Sequence, residues 1–395
     1  MRTPVRLAVA AVLAATPALA AGPATATAIA EPAPAPLHTA GANALPGQYI
    51  VTLKKGTDAS GVTRKLKLKP SHVYGAALNG FAAPLSGLQL DALRATPGVA
   101  SVEEDATADA LPVPAAPAGR APSGVWGLDR IDQRDLPLDN DFAVRGSGAG
   151  VTAYILDTGI DYQHAEFGGR AVFGFDAMGD GRAGQDCNGH GTHVAGTVGG
   201  MTYGVATKAD LVSVRVLGCD SRGSWSGIIA GLDWVAKNAK QPAVLNASLG
   251  GSRSQAVNDA ATNLSLAGVL PVVAAGNDKR DACQVSPASA NRVLTVGASD
   301  RYDRETNFSN YGSCVHLYAP GQDILSARLG GGSIAENGTS MAAPHVAGAA
   351  ALYKQAHPSA QPEEIYSALL THSTKDHLTS LSAGSPNRLL NTGGL

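Results

Sequence analysis

The sequence predicts an α/β fold, a mostly parallel sheet with helices on both faces, preceded by a small α+β unit. Three observations predict it. Beyond about position 120, apolar runs of strand length (151–156, 211–216, 244–248, 269–274 and 293–296) alternate with helix-like stretches (190–198, 225–239, 254–267 and 340–355). That alternation builds a parallel sheet with crossover helices. The roughly 275 residues of this part are enough for one large core. Upstream, residues 47–105 have a shorter rhythm of their own.

The elements follow in chain order. Residues 1–20 carry Arg2 and Arg6, an apolar stretch at 7–13, and Ala18-Leu19-Ala20. This is a secretory signal, too short to span a membrane. Cleavage is expected after Ala20, and the Ala-rich run to Ala30 offers later sites. The Ala/Pro/Thr stretch 21–46 reads as an unstructured linker. In 47–105, strands are expected at 48–54, 80–85 and 99–102, and helices at 59–68 and 88–95. The Pro/Ala-rich run 106–122 reads as a second linker, and 123–395 as the main domain. A net charge of −2 gives no reason to expect nucleic acid or an anionic surface as partner. No other apolar run is long enough to cross a membrane, so a secreted, extracellular protein is expected, with a monomer as the default.

Three stretches carry chemistry. Gly338-Thr339-Ser340-Met341-Ala342-Ala343-Pro344-His345 opens an apolar helical run. Ser340 is expected on the turn that starts this helix, with Pro344 in its first turn, where the missing N–H costs nothing. Alone, such a serine is equally an N-cap. Asp157 ends the strand-like run 151–156, and His190 opens the small-faced helix Asn188-Gly189-His190-Gly191-Thr192-His193. A serine needs a base to attack an amide, and an imidazole works best when a buried carboxylate fixes its tautomer. Asp157, His190 and Ser340 supply those parts at strand ends and helix starts, where α/β sheets place their sites. His193, one turn after His190, does not make a zinc protease, because H-E-x-x-H is absent. His193 and His345 read as structural histidines.

With these segments the chain resembles the subtilisin-like serine proteases, and most closely their secreted proteinase K and aqualysin branch. D-T-G, H-G-T-H-V-A-G, S-L-G-G, A-A-G-N and G-T-S-M-A-x-P-H occur in family order between about Trp126 and about Leu390. The resemblance implies the three-layer subtilisin-like fold and a serine endopeptidase acting on proteins and peptides. It makes Asn277 an oxyanion donor beside the Ser340 N–H. Residues 47–105 then resemble the family's ferredoxin-like propeptide, an intramolecular inhibitor and folding aid, with the cut somewhere in 106–122. Ser248, Leu249, Gly250 and Gly251, with Ala274, Ala275 and Gly276, would wall the pocket for the residue before the cut. No acidic residue lies in either segment, so an apolar or aromatic preference is expected rather than Lys or Arg. Ser221, Arg222 and Gly223 align with the edge strand that pairs with substrate. Trp225 aligns with an aromatic rim residue of a more distant subsite, and Arg222 could favour an acidic side chain nearby.

Two structural features also follow from the resemblance. The even cysteine count in a secreted chain points to disulfides, and four cysteines allow three pairings. The aqualysin-like enzymes select Cys187 with Cys219 and Cys283 with Cys314. Asp129, Asp132, Gln133, Asp139 and Asp141 crowd one short segment and match a calcium site of some relatives. A second family calcium site would use an Asp where this chain has His316, and imidazole suits Ca²⁺ poorly. A non-catalytic scaffold is disfavoured because all four polar catalytic residues are present.

Overall fold

The computed structural model describes residues 1, 8, 10–11, 33–111 and 125–395, and residues 34–395 form one unit. The signal segment expected at 1–20 falls outside the described residues but for isolated positions.

The first module contains β1 (Ala44–Leu53), α1 (Ala59–Lys65), β2 (His72–Tyr74), β3 (Gly80–Pro84), α2 (Gly87–Arg94) and β4 (Val99–Ala110). The strands form an antiparallel sheet in the order β4-β1-β3-β2. Its core includes Val51, Leu53, Phe81, Leu93 and Val102. Asp58 caps α1 by accepting from the Ser60 and Gly61 N–H groups. Ser86 and Gln89 close a capping box on α2. Helix α1 stops at Lys65, short of the expected 68, because Lys67 turns into the left-handed region at φ 54°.

Two boundaries need correction. The linker expected to run to 46 is ordered well before that. Leu37–His38 pairs in parallel with Val102 and Glu103, and Ala35 and Leu37 pack on the small core. The last strand does not end at 102, nor does a linker begin at 106. β4 continues to Ala110, because its second half finds strand partners in the larger domain.

The larger domain follows with α3 (Trp126–Asp132), β5 (Thr152–Asp157), β6 (Ala171–Asp176), α4 (His190–Gly199), β7 (Asp210–Arg215), β8 (Arg222–Ser224) and α5 (Trp225–Asn238). It continues with β9 (Ala243–Ala247), β10 (Leu249–Ser252), α6 (Gln255–Leu266), β11 (Leu270–Ala274), β12 (Leu294–Ser299) and β13 (Leu317–Pro320). It closes with β14 (Ile324–Ala327), β15 (Ser333–Glu336), α7 (Thr339–Ala356) and α8 (Pro362–His372). The parallel sheet runs β13-β12-β11-β9-β5-β7-β6, with short strands beyond β13. Alternation along β5 divides the core. Ala153 and Ile155 face the layer holding α4, α7 and α8, whereas Tyr154 and Leu156 face α5 and α6. From β5 the chain builds one side of the sheet and then returns to β9 on the other. The crevice at such a reversal is where α/β sheets bind ligands, and here it is flanked by Asp157 and Ser248, at the carboxyl ends of β5 and β9.

Candidate active site

Asp157 is fully buried at the end of β5, and its Oδ1 accepts the Thr158 N–H at 2.7 Å. Gly189, at φ 111°, lets the chain turn sharply into α4 and sets His190 at the helix start. His190 Nδ1 donates to Asp157 Oδ1 at 2.7 Å. Burial alone would lower the imidazole pKa. The Asp157 charge and hydrogen bond outweigh it, with smaller help from Glu336 and Asp186, and push it up to about 9. Because a carboxylate can only accept, Nδ1 keeps its proton when the ring is neutral, and Nε2, buried with no hydrogen-bond partner, is the nitrogen that gains or loses one.

Ser340 lies in the first turn of α7, which packs against α4. The carbonyls of Ile324 and Ile334 on the β14–β15 hairpin accept from His193 Nε2, so α4 docks on the hairpin that leads into Ser340. Ser340 Oγ donates to the Ser248 carbonyl at 3.2 Å, so the hydroxyl points away from any bond to the imidazole in this conformation. Pro344 is not in the first turn as expected. The helix starts at Thr339, which puts the proline one turn further in. Its missing N–H would have bonded the Ser340 carbonyl. That carbonyl instead accepts from Ser248 Oγ at 2.9 Å, and Asn246 Nδ2 donates to the same hydroxyl. The proline thus frees one acceptor that ties Ser340 to the S-L-G-G segment.

Asn277 follows β11, and its Oδ1 accepts both the N–H and the hydroxyl of Thr339 at 2.9 Å. The Thr339 hydroxyl also accepts the Gly276 N–H at 3.0 Å. These bonds fix which way the amide faces. A Cβ built on Gly338 would stand 3.1 Å from Asn277 Nδ2 and 3.6 Å from the Ser340 nitrogen, so both donors border one small space. Thr339 escaped the sequence reading, although its place beside Ser340 in the motif was the available signal.

The residues expected to face substrate also come together. β8 and β10 flank β4, which lies between them as a third antiparallel strand. Ala108 pairs with Gly223, and Asp109 pairs with both Arg222 and Gly250. The Ala110 N–H donates to the Ser221 carbonyl at 2.9 Å. Leu111 is buried, its Cδ2 3.1 Å from where a Cβ on Gly250 would sit. Arg222 reaches Asp109 at 3.4 Å in a largely exposed pair. Gly276, at φ 108°, admits no Cβ, because one would stand 2.2 Å from Asn310 Nδ2. Trp225, expected at the rim of a more distant subsite, is buried in the uncut chain, with its ring against Gly251.

Two carboxylates of the first module fasten β4. Asp105 accepts from Ser226 N and Oγ at the start of α5, and Glu103 accepts from Gln255 N and Ala256 N at the start of α6. Helix N-termini favour such negative groups. Burial nevertheless pushes both carboxyls above their ordinary pKa. From the other side, Asp233 on α5 accepts the N–H groups of Gly75, Ala76 and Ala77.

The two disulfides are Cys187–Cys219 and Cys283–Cys314, with sequence separations of 32 and 31. Loops of that size correspond to about 3–4 kcal/mol each in the chain-entropy account. The first ties the His190 turn to the segment before β8. His193 and His345 are buried, each bonded through one ring nitrogen to backbone carbonyls, and burial lowers both pKa values.

In the expected calcium segment, Asp129 accepts the Asn140 N–H at 2.9 Å and Asp132 that of Ala143 at 2.5 Å. Asp139 accepts from Asp141 N, while Gln133 Oε1 is buried without a partner. Burial and the neighbouring carboxylates raise the pKa of Asp129 and Asp132. This chemistry fits a hard cation, but among the described residues no three acidic, His or Cys side chains converge into a cage. His316 accepts the Thr295 N–H, stacks edge-on against Tyr366, and is pushed down to about 4 by burial and Arg388.

The subtilase family profile matches residues 148–391. This chain belongs to the subtilase family. The peptidase inhibitor I9 profile matches residues 48–110, ending where β4 ends. An extracellular serine proteinase from Thermus sp. (strain Rt41A) is 47% identical over 376 residues, covering 88% of this subtilase and 90% of the relative. Proteinase R of Parengyodontium album is 43% identical, covering 80% of this chain and 82% of its own. The crystal structure of a cold adapted subtilisin-like serine proteinase superposes with a TM-score of 0.67 at 48% identity, covering 69% of this chain and 99% of that one. The protein is a subtilisin-like serine proteinase with an I9 propeptide, which indicates a zymogen.

Proposed function

We propose that this subtilase is a secreted endopeptidase in which Ser340 is the nucleophile, His190 the general base and Asp157 the residue that orients it. Ser340 Oγ turns from the Ser248 carbonyl toward His190 Nε2, the ring atom with no hydrogen-bond partner. The imidazole takes the hydroxyl proton as Oγ attacks the substrate carbonyl. Asn277 Nδ2 and the Ser340 N–H hold the oxyanion, and fixed dipoles there need no reorganisation as charge develops. The protonated His190 then delivers its proton to the leaving amine, and water hydrolyses the acyl-enzyme by the reverse sequence.

The observation that carries this reading is the chain's own strand. Residues 107–111 lie between β8 and β10 as a substrate would, with a leucine against the glycine wall. An apolar or aromatic preference before the cut follows. In a peptide library, Leu or Phe at that position is expected to be cut at least about tenfold better than Lys or Arg, whose charge would be buried unpaired. Preferential cutting after Lys or Arg would refute the specificity. Asp is expected to be favoured over Lys at the position occupied by Asp109. Arg222→Ala should reduce that preference by at most roughly fivefold, because the pair is exposed. The reading as a whole is tested by a serine-directed phosphonate, which should label Ser340 in the mature protein.

The apolar N-terminal segment and the named extracellular relative support secretion, and the working oligomeric state is a monomer. We infer that the mature domain starts after residue 111, within the stretch expected to be processed. Asp129, Asp132, Asp139, Asp141 and Gln133 Oε1 are the residues that would hold a structural Ca²⁺. Chelation should lower Tm by about 5 °C or more, the effect of losing a ligand held at roughly a hundred times its Kd. Equal Tm with calcium and with chelator would remove calcium from the account.

A further inference from the structure

Asp186 has no place in the relay described above, yet it is buried close to it. Its Oδ1 accepts from Thr158 Oγ1 at 2.9 Å, Asn188 N at 2.9 Å and Gly189 N at 3.0 Å. Its Oδ2 accepts from Thr192 N at 3.0 Å and Thr192 Oγ1 at 2.6 Å. Five donors therefore converge on one carboxylate. They come from two places, the residue after Asp157 and the turn around His190. Thr158 strengthens the link from its side. Its N–H donates to Asp157 Oδ1, and its Oγ1 accepts the Gly191 N–H at 2.9 Å. Thr192 Oγ1 in turn accepts the Asp161 N–H at 3.0 Å.

This pattern is more than loop closure. Asn188, Gly189, Gly191 and Thr192 bracket His190 on both sides, so the imidazole cannot shift along α4 without breaking bonds to Asp186 or Thr158. The strand end carrying Asp157 is bound to the same centre. No Lys or Arg among the described residues pairs with Asp186 within salt-bridge distance, so its charge is held by hydrogen bonds alone. Hydrogen bonds to a charged acceptor are among the stronger ones.

We propose that Asp186 is a positioning residue for the hydrolytic reaction, a carboxylate that clamps the Asp157 strand end to the His190 turn and sets the geometry of their hydrogen bond. The proposal rests on the assignment of His190 as general base. A second consequence follows from its charge, which lies in the same buried field as Asp157 and favours the imidazolium.

The test is Asp186→Asn, followed per active site by titration with the serine-directed phosphonate, so that misfolded molecules do not count. Asparagine has the same shape but only one accepting oxygen, and its NH₂ would face donors on the other side. The expected result is kcat per titrated site lower by about 10- to 100-fold, the scale of a small misplacement of reacting groups, with KM within about twofold. The acid limb of the pH profile should move to lower pH, because a negative charge near His190 is gone. Asp186→Glu retains the charge and should keep the limb near its wild-type position while lowering kcat. A purely structural role would lower Tm and the titrated fraction but leave per-site kcat and the limb unchanged, and that result overturns the proposal. If Asp186→Asn does not mature, Thr158→Val removes the bridging hydroxyl at constant volume. An unchanged per-site kcat in that variant overturns the proposal equally. Failure of the wild type to label at Ser340 would be a different outcome, refuting the assignment of the nucleophile instead.

Discussion

Ser340→Ala lowers peptide turnover by about a million-fold, the loss that removing the nucleophile produces in subtilisin itself, and leaves the protein as one uncut chain. The side chain is fully buried at the start of α7, and the change removes one hydroxyl donating to the Ser248 carbonyl at 3.2 Å. A bond of that kind contributes about 1 kcal/mol, so the fold should persist and Tm should shift by only a few degrees. Nothing else in the site depends on the hydroxyl. The Ser340 carbonyl keeps its bond from Ser248, and Asn277 stays bonded to Thr339. Without a nucleophile the propeptide cannot be cut in its own cleft, so β4 should remain between β8 and β10. The measurement is casein turnover together with the intact mass of the purified chain. Turnover within tenfold of the wild type, or a processed chain from host cells free of other proteases, would show that another group does the chemistry.

The parts of this protein that were legible in its sequence are those whose cause is local. The five strands and four helices anticipated for the large domain all form, with ends within a residue or two except the last strand, which runs three residues further to Ser299, because each is an apolar run with one clear period. The histidine and serine stood out because each follows a glycine turn, Gly189 at φ 111° and Gly338 at φ 147°, and the aspartate because it ends a buried strand. What stayed hidden depends on distant partners. Glu103 and Asp105 look like the start of a polar linker, and their partners at the starts of α6 and α5 lie 152 and 121 positions away. Strand β4 was therefore expected to stop eight residues early. β6 was missed because it is the edge of its sheet, with Val172 and Phe173 both exposed and no clean alternation to read. Asp186 was invisible because one acid in a Gly- and Asp-rich loop carries no signal until five donors are found around it.

Asp157→Asn should lower kcat/KM by about ten-thousand-fold while leaving Ser340 and the cleft in place. The reason lies in the tautomer. A carboxylate at Oδ1 can only accept, so it holds the proton on His190 Nδ1 and leaves Nε2 as the base. An asparagine can turn its NH₂ toward Nδ1, which then becomes the acceptor, and the proton moves to Nε2, where it blocks catalysis. The pH dependence separates this from simple damage. Burial lowers the His190 pKa, and the Asp157 charge raises it past the ordinary value to about 9. With that charge removed, burial is opposed only by Glu336 and Asp186, and the acid limb of the residual activity should move well below its wild-type position. Stability should follow the same groups. A histidine whose pKa is raised on folding contributes stability fully present below its unfolded value near 6.5 and lost as pH rises through about 9. Wild-type Tm should therefore fall between those two pH values by an increment that Asp157→Asn lacks. Thermal unfolding of precursors kept uncut by Ser340→Ala, with and without Asp157→Asn, measures that increment free of self-digestion. Parallel pH profiles for the two would mean that the 2.7 Å contact between residues 157 and 190 carries no ionic character. In that case the carboxylate would act through its shape alone.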